Sequence, residues 1–351
     1  MAVEAGREQR LRARRKRPDV LSVIGILFVI GLVVLLLVNL IDDPEQFFNV
    51  AIIGLTTGSV YALVALGYTL VYGILQLINF AHGDVFALCG LVASSIMVSL
   101  FNLDGSEAVG VIAVGLVGTI LLTMLFGASI NATIELLGYR RLRSQPRLTM
   151  LISAVGMSFI VQNISLAIYD VNYRSAPQLI SGEPAFTIGG VSMSWNKLWI
   201  VLITIPVLLF LTWMVRSTKQ GKAMRATAQD QDAAAMMGIN VNRTISFTFL
   251  LAGSLAGAAG VLYLLQFQMR YDTGFELGLI AFTAAVLGGI GNLAGATLGG
   301  LLIGFIQAFN EGLPIGMPGS DWTRSIVFGI LIAILVFRPE GLLGERTPEG
   351  A

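Results

Sequence analysis

Residues 20–41 read VLSVIGILFVIGLVVLLLVNLI, with no charged side chain. A helix needs about 20 apolar residues to cross the hydrocarbon of a bilayer, and this run supplies them before ending in Asp42-Asp43-Pro44-Glu45. Arg7, Arg10, Arg12, Arg14, Arg15, Lys16 and Arg17 precede it, as in a signal peptide. The apolar stretch is longer than the roughly 7–15 residues of a signal core, and no small-residue cleavage site closes it. The expectation is a retained signal-anchor helix behind a basic cytoplasmic extension, residues 1–19.

The rest of the chain repeats that pattern. Apolar runs lie near 49–78, 84–101, 108–131, 148–169, 196–215, 244–267, 278–290, 294–309 and 325–338. Hydrophobic residues make up 55% of the 351 positions and charged residues 12%. A soluble domain carries about 25% charged residues to cover its surface, so the outer solvent here is lipid. Continuous runs rather than alternating strands exclude an outer-membrane barrel. The expected fold is all-α, a polytopic transmembrane bundle of about eight to ten spans, some broken or re-entrant. Run 49–78 exceeds one crossing and admits a second, broken helix. Runs 278–290 and 294–309 admit a tight hairpin at Gly291-Asn292, one bent helix or re-entrant segments.

Loop charge sets the orientation. With ten alternating spans, residues 1–19, 132–147, 216–243 and the tail from Arg338 share one side and hold 18 of the 22 Lys and Arg. The opposite side holds 11 of the 21 Asp and Glu, so only basic residues are sorted, as the positive-inside rule requires. Both termini are therefore cytoplasmic. A permease domain over 20–338 carries a cytoplasmic segment at about 216–243, and 339–351 form a cytoplasmic tail.

Several function classes are excluded. A formal net charge of +1 points to no nucleic-acid partner. One cysteine, Cys89, and one histidine, His82, leave no disulfide, metal cluster or HExxH pair; Cys89 reads as a small packed thiol. There is no GxxxxGK[ST] phosphate loop, since Gly221-Lys222-Ala223 lacks both the upstream glycine and the hydroxyl residue. Gly289-Ile290-Gly291-Asn292-Leu293-Ala294 matches a dinucleotide fingerprint but lies between apolar helices, without the βαβ unit such a site needs. No nucleophile constellation is visible, so no catalytic residue is assigned.

Four groups of residues are candidates for function. Glycines at four-residue spacing, Gly54/Gly58, Gly253/Gly257, Gly291/Gly295, Gly295/Gly299 and Gly300/Gly304, leave grooves for close helix packing or break a helix beside a solute path. Thr56, Thr57, Gly58, Ser59 and Tyr61 put hydroxyls on one such segment: pore lining, or hydroxyls bonded back to their own helix. Asn79-Phe80-Ala81-His82-Gly83-Asp84 joins two apolar runs, where His and Asp are costly unless paired or wetted. It reads as a turn with Asp84 capping the next helix, or as a gate or partner-contact loop centred on Asn79, His82, Gly83 and Asp84. Residues 222–237 are rich in helix formers, with Gly238 suited to the C-cap. Ala226, Ala233, Met236 and Met237 give that helix a modest apolar face for a groove on another protein.

At this point the chain resembles the branched-chain amino-acid ABC transporter permeases, in particular their LivH-like subunits. The resemblance rests on GLTTGSVYAL (54–63), NFAHGD (79–84), GKAMRA (221–226) with Asp230 and the stretch 234–240, GGIGN (288–292) and FRPEGLLG (337–344). It spans about residues 47–344 and leaves the basic extension outside. It implies a permease subunit of a binding-protein-dependent importer in the bacterial cytoplasmic (inner) membrane, working by alternating access. The implied partners are a LivM-like second permease subunit, two cytoplasmic ABC ATPases and an external substrate-binding protein. No cofactor is expected in this chain; ATP and Mg belong to the ATPases. The resemblance also makes 222–238 the coupling segment, with Lys222, Ala223, Arg225, Ala226, Asp230, Ala233, Met237 and Gly238 facing an ATPase.

No charge inside a span reads as a ligand for an amino-acid carboxylate or ammonium. Recognition is expected from helix-end dipoles, or choice is left to the binding protein. Permeases of this kind also serve urea and short amides, which stay open as solutes. An ion-coupled secondary transporter is the other class, and it calls for intramembrane acids, of which the span interiors here contain almost none.

Overall fold

The computed structural model describes residues 20–103, 109–143, 145–177 and 184–344. The basic extension and the last residues of the tail lie outside the described residues. Among the described residues, twelve α-helices and one hairpin follow in chain order. Helix α1 spans Val20–Asp42, α2 Pro44–Leu75, α3 Ala81–Ser95, α4 Val109–Ile134 and α5 Arg147–Tyr169. A two-stranded antiparallel hairpin comes next, β1 Pro184–Ile188 and β2 Val191–Ser194. It turns on Gly189 and Gly190, at φ 58° and 85°. Then come α6 Trp195–Ser217, α7 Lys219–Gln229, α8 Gln231–Met236, α9 Val241–Leu264, α10 Thr273–Gly288, α11 Leu293–Gly312 and α12 Ser320–Phe337. Among the described residues, eight helices are long and apolar enough to cross a membrane, and two shorter apolar stretches, Ile30–Asp42 and Thr273–Gly288, accompany them. The protein is a multi-pass helical membrane protein.

The long run at 49–78 is one helix, not two. Asp43 caps α2 by accepting the Gln46 N–H at 2.9 Å, Pro44 occupies its first turn, and Gln76 ends it in the left-handed region at φ 53°. Nothing inside α2 breaks the ladder, and its residues from Thr56 to Val71 are buried. This helix is the axis of the bundle, packed against α9, α10 and α11.

Of the three readings for 278–309, the hairpin holds. Helices α10 and α11 meet at a turn in which Gly289 and Gly291 take φ of 107° and 95°, and Asn292 caps α11 by accepting the Gly295 N–H at 3.1 Å. The tail folds onto this turn. The Leu342 and Leu343 N–H groups donate to the Leu287 and Gly288 carbonyls at 2.8 and 2.9 Å, and Asn292 Nδ2 reaches the Leu343 carbonyl at 2.7 Å. GGIGN and FRPEGLLG, about fifty positions apart, form one packed joint. Gly291 is therefore a turn residue, not a packing one: a Cβ there meets nothing within 4 Å.

The other glycines are seams. A Cβ on Gly253 or Gly257 of α9 would run into the Gly127 or Thr123 carbonyl of α4. Gly295 and Gly299 of α11 face the Gly288 and Ala284 carbonyls of α10, while Gly300 and Gly304 face Ala62 and Gly58 of α2. Such contact matters in lipid, where association rests on van der Waals packing rather than on hydrophobic burial. Cys89 is buried and unpaired, as expected of a packed thiol.

Candidate functional site

At the end opposite the basic loops, the outer end by the positive-inside rule, the helices part around a cavity of about 390 Å³. Its wall draws on α2 through Tyr61, the end of α9 through Tyr263, the segment after it through Arg270 and Asp272, and α10 through Glu276. Helix α11 adds Gln307 and Glu311, and α12 adds Thr323 and Arg324. The volume falls within the roughly 300–1,000 Å³ of small-molecule sites. Arg270 forks onto Asp272 at 2.6 and 2.5 Å, which holds the guanidinium above its ordinary pKa. Arg324 forks onto Glu276 at 2.5 and 2.8 Å. Tyr61, almost fully buried, donates its hydroxyl to Gln307 Oε1 at 2.7 Å.

Of the five residues expected to line a pathway, only Tyr61 reaches this cavity. Thr56 donates to the Ile53 carbonyl at 2.9 Å and Ser59 to the Leu55 carbonyl at 2.7 Å, so both hydroxyls are satisfied on their own helix. Thr57 is buried, and Gly58 faces α11, where an added Cβ would lie 2.8 Å from Leu301 Cα. Glu276, Glu311, Arg270 and Arg324 sit at span ends, where a run-by-run reading assigns them to loops. A sequence signal existed: Gln307 and Glu311 share one face of a helix four residues apart.

The NFAHGD segment, expected as a capped turn or as a gate or partner-contact loop, lies inside the bundle. Asn79, His82 and Asp84 are each 1% exposed or less, and α3 already begins at Ala81. Asp84 does not cap that helix; its Oδ2 accepts from the Ser158 hydroxyl of α5. Asn79 Nδ2 donates to Asn131 Oδ1 at 3.3 Å, Asn79 Oδ1 accepts from Tyr139 at 3.1 Å, and Asn131 Nδ2 donates to the Phe249 carbonyl at 2.9 Å. The His82 ring lies edge-on to Tyr68, 4.8 Å between centroids, and fills the space that the missing side chain of Gly67 leaves. Gly83 is equally tight against Gly274 and Gly278 of α10. Asn79 and Asp84 Oδ2 tie the segment into the bundle, whereas the His82 ring nitrogens and Asp84 Oδ1 are buried without a hydrogen-bond partner among the described residues.

At the end that bears the basic loops, the single helix expected over 222–237 is two. Helix α7 ends at Gln229, and Asp230, at φ −155°, caps α8 by accepting the Asp232 and Ala233 N–H groups at 2.9 Å. Gly238 closes α8 at φ 83°, its N–H donating to the Ala235 carbonyl at 3.0 Å, the C-cap expected there. Met224, Thr227 and Ala234 turn inward. Arg225 is spent on its own chain, donating to the Val215 and Arg216 carbonyls at the end of α6. Ala223, Ala226 and Ala233 are half-buried and Lys222 is exposed. Met236 and Met237 protrude, 82% and 83% exposed, at the tip of the elbow.

Residues 50–336 match the family model described as branched-chain amino acid transport system / permease component. The chain is 40% identical over 301 residues to the high-affinity branched-chain amino acid transport system permease protein BraD of Pseudomonas aeruginosa, covering 84% of this chain and 95% of that one. It is 37% identical over 312 residues to the corresponding protein LivH of Escherichia coli, covering 87% and 96%. The ribose import permease protein RbsC of Escherichia coli is 27% identical over 334 residues, covering 90% and 91%. A bundle of membrane spans agrees with these likenesses. The chain belongs to the family of branched-chain amino acid transport system permease components.

Proposed function

We propose that this chain is one permease subunit of a binding-protein-dependent ABC importer of branched-chain or other apolar amino acids in the bacterial inner membrane. The observation that carries the reading is the near full-length identity to two branched-chain amino acid permeases, 40% and 37%. The outer cavity is the mouth of the solute path, and a LivM-like subunit completes the channel wall. An external binding protein delivers the solute, and two cytoplasmic ATPases supply ATP and Mg chemistry. Nucleotide-driven closure of the ATPases pushes the α7–α8 elbow and swings the bundle between outward- and inward-open states. The test is uptake of radiolabelled leucine into proteoliposomes holding this chain with those partners. ATP-dependent accumulation that requires the binding protein is the expected result; accumulation without ATP that collapses with the proton gradient overturns it.

Within that reading, Met236 and Met237 are the contact tip. Exposed, flexible thioethers suit a groove on another protein. Met236→Asp and Met237→Asp are expected to lower solute-stimulated ATP hydrolysis about tenfold, the scale of one lost hot-spot contact, with the folded yield unchanged. Undiminished stimulation in both variants removes the elbow from the coupling path.

A further inference from the structure

The charges around the outer cavity do not balance. Arg270 is taken up by Asp272 and Arg324 by Glu276, each as a two-bond fork. The third carboxylate, Glu311, has no cationic partner among the described residues. Its Oε1 accepts from Gln307 Nε2 at 3.1 Å and from the Thr323 hydroxyl at 2.8 Å. Those donors are themselves held, Gln307 by Tyr61 at 2.7 Å and Thr323 by Asn310 Nδ2 at 3.0 Å. Neutral donors on one oxygen orient a carboxylate without cancelling its charge. The second oxygen, Oε2, has no donor among the described residues, and the side chain is exposed in the cavity wall.

A free, oriented carboxylate beside tyrosine rings selects for a particular group. An ammonium donates charge-assisted bonds of about 2.7–2.9 Å to a carboxylate oxygen, and aromatic rings attract cations as well; Tyr61 and Tyr263 line the same wall. A divalent metal needs about six to eight oxygen ligands, usually with several carboxylates among them, and Glu311 stands without a second unpaired acid. The geometry points to Glu311 as the subsite that receives the primary ammonium group of the solute as it enters from the outer face. This assignment rests on the amino-acid reading above and adds the residue that meets the amino group.

The experiment uses the whole importer, this chain with its second permease subunit, ATPases and binding protein, in proteoliposomes with internal ATP. Glu311→Gln keeps the shape and can still accept from Thr323 and Gln307, but removes the charge. Leucine uptake in Glu311→Gln is expected to fall at least tenfold at equal folded protein, with Glu311→Asp recovering part of the loss. A second measurement, on the complex without binding protein, separates an ammonium subsite from a structural role. There 3-methylbutylamine is expected to displace radiolabelled leucine from wild type, but 4-methylpentanoate, which lacks the amino group, is not. Glu311→Gln is expected to abolish displacement by the amine. Equal uptake in Glu311→Gln and wild type, or displacement by the amine and the acid alike, overturns the subsite and leaves the amino-acid reading standing. A wild-type importer that takes up no leucine removes the amino-acid reading itself.

Discussion

Gly304→Leu is expected to leave almost no folded protein, and Gly58→Leu to do the same. Helices α2 and α11 touch backbone to backbone along Gly54, Gly58, Gly300 and Gly304. A Cβ on Gly304 would overlap Gly58, one on Gly300 would come within 2.5 Å of Ala62 Cα, and one on Gly58 within 2.8 Å of Leu301 Cα. None of these obstacles is a side chain that can rotate away; the helices themselves must separate. Overpacking a tight interface costs about 1–3 kcal/mol and sometimes more. Here the separation also forfeits the dispersion contacts on which helix association in lipid depends. A loss above about 3 kcal/mol is a large part of the roughly 5–15 kcal/mol that holds a native protein together. Monodisperse yield and melting temperature in mild detergent measure it. Gly31→Leu and Gly329→Leu, where a Cβ meets nothing within 4 Å, are the controls expected to behave as wild type. A Gly304→Leu protein that melts with the controls would show that this seam is not what joins the helices. Loss of uptake in step with loss of folded protein places Gly58 in the packing rather than in the solute path.

The second large effect is expected at Glu135→Leu. Glu135 begins a π-helical turn, Glu135–Tyr139, at the cytoplasmic end of α4, and its side chain is wholly buried. Arg140 Nη2 lies 3.0 Å from Oε2, Arg143 pairs with Oε1, and the Ser246 hydroxyl of α9 donates to Oε2 at 2.9 Å. Burial pulls the Arg143 guanidinium below its usual pKa, and Glu135 is the group that opposes this. Removing one member of a buried ion pair costs about 3–5 kcal/mol because the remaining charge stays desolvated. Glu135→Leu/Arg143→Met removes that stranded charge and is expected to recover much of the loss. Thermal melting of the single and double variants decides the matter. An unchanged single variant, or a double variant no better than the single, would sink the claim that this cluster clamps α4 to α9.

Particular residues show how far the sequence could be read. The spans were legible because lipid leaves each backbone group no partner outside its own helix, so run length alone locates the helices. Gly238 was legible as a C-cap because its role is local. Asp230 was not read as a break between two helices, although an acid followed by a short helix-forming stretch is an N-cap signal. Asp84 was misread in the opposite sense: its position suited a cap, but a side chain of α5 claimed its carboxylate. The sequence left the hydroxyls of Thr56 and Ser59 open between pore lining and bonding back to their own helix, and the structure shows the second.

The sequence by itself determined that this is a multi-pass helical membrane protein, which end bears the basic loops, and which family it belongs to. Each of these is set by hydrophobic run length, by charge sorting or by the order of short motifs along the chain. Only the tertiary structure decided that Tyr61, Tyr263, Glu276, Gln307, Glu311 and Arg324 surround one cavity, and that Glu311 is the acid left without a cation there. Those side chains come from separate helices, and their meeting depends on how closely glycine seams let the backbones approach, a distance set by packing across the bundle and not by spacing along it.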